Sequence, residues 1–378
     1  MRHRRLLRPI LAAICVLSLA ACGGSPTAGG SGSGDQGASS KNEQKAKKVY
    51  DQINGLTGQA RTDKLVELAE KEGELSIYTS NTDIEDLIEV FEDTYDIEVS
   101  VYRGNSESVL QRVLQEQKAD YFANDVLETN ALELNVANQE DLLYEYQSEL
   151  REQARDEAKA QNWTGTRFNV FVIGWNTKLV KPGEEPKSFE DLADPKWKGK
   201  VSMEVGDVDW FTALYDYYLA QGKSEQEVKD LFAKVAANSK VVKGHTVQGE
   251  LLSAGQFAVS VSSYSHTIDK AANEDGAPVA WRVEGAPVEP LVVRPNGIGL
   301  MKNAANPAAA MLFVDFELTE GQKIFEDAFR IGSVPTGKDP LEGLEVIPVP
   351  EQKLLKDPKP WDDLYADITQ GGQQVGES

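Results

Sequence analysis

Few side chains in this sequence could carry chemistry. Its two cysteines are Cys15 and Cys22, and its three histidines are His3, His245 and His266. No Gly-x-Ser-x-Gly elbow, P-loop or His-Glu-x-x-His run occurs. The chain therefore has no thiolate or His-rich metal centre to build in its body, and no nucleophile–base pair is visible. What remains are oxygen and nitrogen donors in short polar loops. Ser80 and Asn81 lie in Thr79–Thr82, and Arg103 and Ser106 in Arg103–Ser108. Glu128 and Thr129 precede Asn130, and Tyr264, Ser265 and His266 close Ser262–His266. Such groups suit holding a ligand more than transforming one. Arg103 beside Ser106 and Ser108 at a helix start would suit an anion, joining a guanidinium to free backbone N–H groups. Glu128, Asp207 and Tyr264 offer hard oxygen donors for a hard cation, although Asp207 also reads as a helix cap. Arg167 reads as a partner for a carboxylate and His245 as a surface residue. Tyr217 and Tyr218 sit at apolar helical spacing and read as core.

The elements that must position these groups alternate. Glu74–Tyr78 is an expected strand, Asp86–Tyr95 a helix, Ile97–Tyr102 a strand, and a helix follows with Val109, Leu110, Val113 and Leu114 on one face. A third strand, Asp125–Leu127, leads into a helix near Ala131, with Asn130 and Glu133 spaced as a capping box. Strand–helix alternation predicts an α/β lobe with a mostly parallel sheet. Ligands of open α/β sheets sit beyond the carboxyl ends of strands, at helix N-termini. That rule alone selects the four polar loops. Trp163–Asn176 contains a long apolar strand fit to cross between lobes, and Leu291–Lys302 brings strand character back. Regular structure is expected to begin near Thr62.

The amino terminus has another pattern. Arg2, Arg4, Arg5 and Arg8 precede an apolar run from Ile10 to Ala21, too short to span a bilayer. Leu19-Ala20-Ala21-Cys22 closes it and resembles a bacterial lipoprotein signal, with residues 1–21 removed and Cys22 acylated. Gly23–Ser40 is Gly/Ser-rich, and residues 22–60 read as a flexible tether. The remaining length is enough for two lobes. A formal net charge of −22 should repel nucleic acid and anionic lipid surfaces.

With these elements placed, the chain resembles extracellular solute-binding proteins of ABC importers, and within them the iron(III)-type cluster. ELSIYTSNTD, VLQRVLQEQKADYFANDVLET, FNVFVIGWNTKLV and NGIGLMKNAANPAAAMLFVDFELTEGQKIFED carry the match, and SFEDLADPKWKGKVSM is its most specific stretch. The resemblance implies a two-lobed type II periplasmic-binding-protein fold, each lobe a mostly parallel sheet flanked by helices, with hinge strands between. Lobe one would take 61–166 and 291–335, lobe two 167–290 and 336–372, and 373–378 would be a flexible tail. It implies no enzyme activity and no resident cofactor, with iron(III) or an iron chelate as a transported ligand. The expected partners are an ABC permease with its ATPase, and the membrane through lipid on Cys22, with the protein a monomer on the outer face of the cytoplasmic membrane. The same four loops are implied as the ligand site, together with Gly206-Asp207 and Thr246–Gly249. Iron-binding members use adjacent tyrosines after the strand matching FAVSVSS; here the pair reads Tyr264-Ser265 and is broken. Tyr264 and Glu128 would be the metal donors if the ligand is iron. A phosphonate, sugar phosphate or thiamine-like solute stays open beside it, as does a sensor that delivers to no permease.

Overall fold

The computed structural model describes residues 36–370 and 373–374. The expected signal at 1–21, Cys22, the start of the tether and residues 375–378 of the expected tail lie outside the described residues.

Two long strands organise the molecule. Thr164–Asn176 and Leu291–Met301 are buried along their whole length. They run antiparallel side by side, with Val292 opposite Phe171 and Asn296 opposite Arg167. Side chains alternate between the faces of a strand. Phe171, Ile173 and Trp175 therefore enter one core, while Phe168, Val170 and Val172 enter another. Such β-branched and aromatic runs are what a strand covered on both faces requires.

One sheet extends from this pair in both directions. On one side Leu291–Met301 pairs antiparallel with Val126–Asn130. That strand continues in parallel through Glu74–Thr79 to Glu98–Arg103. On the other side Thr164–Asn176 pairs antiparallel with Val259–Tyr264. From there the sheet continues in parallel through Val201–Glu204 to Ser239–Val242. Each wing is thus a parallel sheet with helices returning the chain, giving a two-lobed α/β molecule. The first lobe's core includes Ile77, Phe91, Val109, Val126, Leu300, Phe313 and Phe316. The second includes Trp197, Val201, Trp210, Phe211, Phe232, Val259 and Tyr365. Leu291–Met301 serves both, since Val292 packs in the second core and Ile298 and Leu300 in the first.

Several local expectations are corrected. Regular structure begins well before Thr62, with helices Gln36–Asn54 and Gly58–Glu72. Ala46, Tyr50 and Ile53 are fully buried in the first core, and the Tyr50 hydroxyl donates to the Met301 carbonyl at 3.0 Å. Residues 41–60 are therefore part of the folded body, not a tether: one apolar stripe on an otherwise polar helix suffices to dock it. The Asn130–Glu133 capping box does not form; Asn130 spends its side chain on Ser106 and Asn296 instead. A capping box does form at Ser224 and Glu227. Gln373–Gln374 is not a free tail but pairs with Lys240 and Val241.

Candidate functional site

In the second lobe three neighbouring parallel strands end side by side. Glu204 ends Val201–Glu204, and Asp207 stands just before the helix Val208–Ala220. His245 opens the helix His245–Ser253 that follows Ser239–Val242. Tyr264 ends Val259–Tyr264, where Ser262 takes a left-handed φ of 56° and the register against the long strand shifts between Val172 and Gly174. Such a bulge re-aims the side chains that follow it. The three loops converge. The His245 ring stacks on Tyr264 with centroids 3.8 Å apart, and His245 Nε2 lies 2.9 Å from Asp207 Oδ1. Glu204 accepts from the backbone N–H groups of Gly206 and Gly244. Arg294, from the long strand Leu291–Met301, donates to the Tyr264 hydroxyl at 2.7 Å and pairs with Asp209. His266 stacks near Tyr264 at 5.4 Å, and Ser265 and His266 are buried.

Two sequence expectations change here. Asp207 holds the cap position of its helix but makes no side-chain cap bond; its carboxylate is turned to His245. His245 is not a surface residue but is wedged between Asp207 and Tyr264. Tyr218 is core, as its spacing implied, with its hydroxyl on Glu190 at 2.7 Å.

Electrostatics follow from this packing. Burial works against a charged His245, but Asp207 and Glu204 outweigh it and raise its pKa. Burial and the neighbouring Asp207 raise Glu204. Burial pushes the Tyr264 phenol up despite Arg294, so the hydroxyl keeps its proton near neutrality. His266 moves far down, through burial first and then Arg330 and Arg167, and is neutral.

The first lobe presents its own strand ends. Ser80 Oγ lies 3.1 Å from Thr129 Oγ1. Asn81 is buried, its N–H bonded to Thr79 Oγ1 at 2.8 Å and its amide nitrogen without a partner. Ser106 receives Asn130 at 2.6 Å. Glu128 is fully buried, and Arg167 and Thr79 each take one of its oxygens. Glu317, equally buried, is raised far above a normal carboxyl by burial and by Glu128. Arg103 is exposed at the end of an edge strand, registered against Thr79. Arg330 braces the Ser80 loop, pairing with Asp83 and reaching Thr82 at 2.9 Å.

The long strands join the two sets. Their registered positions put Arg167, Asn169, Arg294 and Asn296 on one face. On that face Ile298 belongs to the first core and Phe171 to the second. A polar band thus lies between two apolar cores, with Ser80, Thr129 and Glu128 on one side and Tyr264, His245 and Asp207 on the other. Arg167 and Arg330 both add to the downward shift of His266 that burial causes. A cavity of about 510 Å³ lined by Asp51, Asn54, Tyr144 and Lys302 lies elsewhere, since no side chain of this band lines it. Arg294, Asp209, Arg330 and Glu317 were not expected from the sequence. Arg294 had a signal: an arginine inside LVVRPNGIGLM, a strand otherwise apolar, must find a buried partner.

Comparison with known proteins agrees with this fold. A family model described as bacterial extracellular solute-binding protein matches residues 113–366. Iron uptake protein A1 of Synechocystis sp. is 26% identical over 290 residues, covering 73% of this chain and 80% of that protein. The structure of iron-bound HitA from Pseudomonas aeruginosa superposes with a TM-score of 0.66 at 19% identity, covering 78% of this chain and 99% of that one. AfuA from Actinobacillus pleuropneumoniae, solved with exogenous fructose-6-phosphate, gives 0.67 at 23% identity, covering 79% and 99%.

Proposed function

The chain belongs to the bacterial extracellular solute-binding protein family, and on that premise we propose that it captures iron, as the ion or a small chelate, between its lobes for an ABC importer. The observation that carries this reading is the convergence of Tyr264, His245 and Asp207 at the strand ends of one lobe. Ser80 and Thr129 stand at the strand ends of the other, with the hinge-strand arginines between. Oxygen and imidazole donors serve the metal, while Arg167, Arg294 and Arg330 favour the carboxylates of a chelator. Ser80, Asn81, Thr129, Asp207, Tyr264, Ser265 and His266 line the ligand; Glu128 supports it through Arg167, and Arg103 and Ser106 stand at its rim. Hinge closure about the two long strands would bury the solute and create the face the permease reads. Upstream, residues 1–21 act as an export signal, and acylated Cys22 holds the protein to the outer face of the cytoplasmic membrane. The two lobes comprise 61–166 with 291–335, joined by residues 41–60 in the first core, and 167–290 with 336–372, exchanging around Leu291–Met301.

One observation favours a second reading. Arg294 already holds the Tyr264 hydroxyl, which suits an organic anion such as a sugar phosphate better than a bare ferric ion. Calorimetric titration with ferric citrate and with fructose 6-phosphate separates them. Tight one-to-one binding of ferric citrate supports the iron reading, and binding of the sugar phosphate alone replaces it.

A further inference from the structure

We infer that Glu204, Asp207 and His245 form the lobe-two binding site for a divalent first-row metal ion. The inference rests on the metal reading proposed above and names its donors and its oxidation class. Each of the three residues brings one donor atom within 4.8 Å of the other two. They come from the carboxyl ends of two adjacent parallel strands, the edge where open α/β sheets hold ligands.

An Asp–His ion pair alone leaves atoms unexplained. It uses Asp207 Oδ1 and His245 Nε2. Asp207 Oδ2 is buried with no partner, on a residue only 2% exposed, and His245 Nδ1 is buried with none either. A buried carboxylate oxygen without a donor carries a desolvation cost that a cation removes. Glu204 is fixed in advance by the N–H groups of Gly206 and Gly244, the kind of outer bracing that orients metal ligands. The Tyr264 ring stacked on His245 covers the imidazole from one face.

The donor types choose the ion. Two carboxylates and an imidazole suit iron(II), zinc or cobalt(II). Ferric iron prefers phenolate, but the Tyr264 phenol stacked on the imidazole is held by Arg294 and the Tyr365 phenol donates to the Glu204 carbonyl at 2.6 Å.

The test uses the full chain, stripped of metal with a chelator, and cobalt(II) as a visible probe alongside zinc calorimetry. One cobalt(II) per chain is expected, with absorption showing nitrogen coordination. Asp207→Asn and His245→Gln should each weaken cobalt binding by roughly tenfold or more, as losses in metal ligation do. Glu250→Gln, an exposed position on the His245 helix, should bind as the parent does. If Asp207→Asn lowers the melting temperature, His245→Gln at its partly exposed position carries the comparison. No cobalt or zinc binding by the folded parent overturns the inference. So does unchanged binding in both variants. Ferric citrate titrated in parallel keeps the two readings apart. Equal ferric citrate binding by parent and variants, without cobalt binding, leaves the iron reading standing and removes this one. Binding of neither removes both.

Discussion

Glu317→Gln should stabilise the protein, and by an amount that grows with pH. Glu317 ends the buried helix Pro307–Glu317, is 0% exposed, and has both carboxyl oxygens without a hydrogen-bond partner. Glu128, also 0% exposed, pairs with Arg167, the cation that acts on Glu317. Two carboxylates cannot both ionise beside a single guanidinium without a large cost. Burial and Glu128 therefore raise the Glu317 pKa far above its usual value. A carboxyl whose folded pKa is raised contributes stability below its unfolded pKa and loses it as pH rises towards the folded one. While the folded group stays protonated and the unfolded one ionises, wild type loses about 1.4 kcal/mol per pH unit. Glutamine has no such loss. The variant's advantage should grow by about 1.4 kcal/mol for each pH unit within that window. Other buried carboxyls, such as Glu72, raised to about 7 chiefly by burial, titrate in both proteins and cancel in the difference. Urea unfolding of both proteins at unit pH steps measures it. Curves that stay parallel from pH 5 to pH 8 would show that Glu317 is ionised in the fold and would refute the reasoning.

Other perturbations test other links. Tyr264→Ala should weaken ligand binding at least tenfold, about 1.4 kcal/mol, because it removes the ring that stacks on His245 and the hydroxyl held by Arg294; unchanged calorimetric affinity would reject that position. Gly297→Ala should lose about 1–3 kcal/mol in urea, since an added Cβ would stand 2.3 Å from the Thr164 carbonyl oxygen at the irregular register of the long strands. Undiminished stability would mean the hinge absorbs the clash. Tyr50→Ala should lose about 3–5 kcal/mol if the first helix belongs to the core, and a loss near zero would make that helix an appendage. Cys22→Ser should move the protein from the membrane fraction to the medium or periplasm, and retention would argue against the lipid anchor.

The strands and their polar ends were legible because they follow from periodicity, and the division into two lobes was implied by the resemblance. FNVFVIGWN and LVVRPNGIGLM are too apolar for anything but a strand covered on both faces, and the polar loops sit at strand ends. The helix Gln36–Asn54 was missed because its composition is polar. Its signal was the spacing of Ala46, Val49, Tyr50 and Ile53, which is one helical face. His245 was misread because its partner Asp207 is distant in the chain and joins it only through adjacent parallel strands. Asp207 was read from local order as a cap, yet a buried imidazole is a stronger partner for its carboxylate than backbone N–H groups open to water. Glu128 was legible as an oxygen donor at a strand end of the first lobe but not as the partner of Arg167 and Glu317, which requires three elements to meet.

The most direct test of solute capture between the lobes is an anomalous difference map, recorded at the iron edge, from crystals grown with ferric citrate. A single peak between Ser80–Thr129 and the Asp207–His245–Tyr264 group is the expected result. A peak at the cavity beside Lys302, or none at saturating ligand, would contradict it.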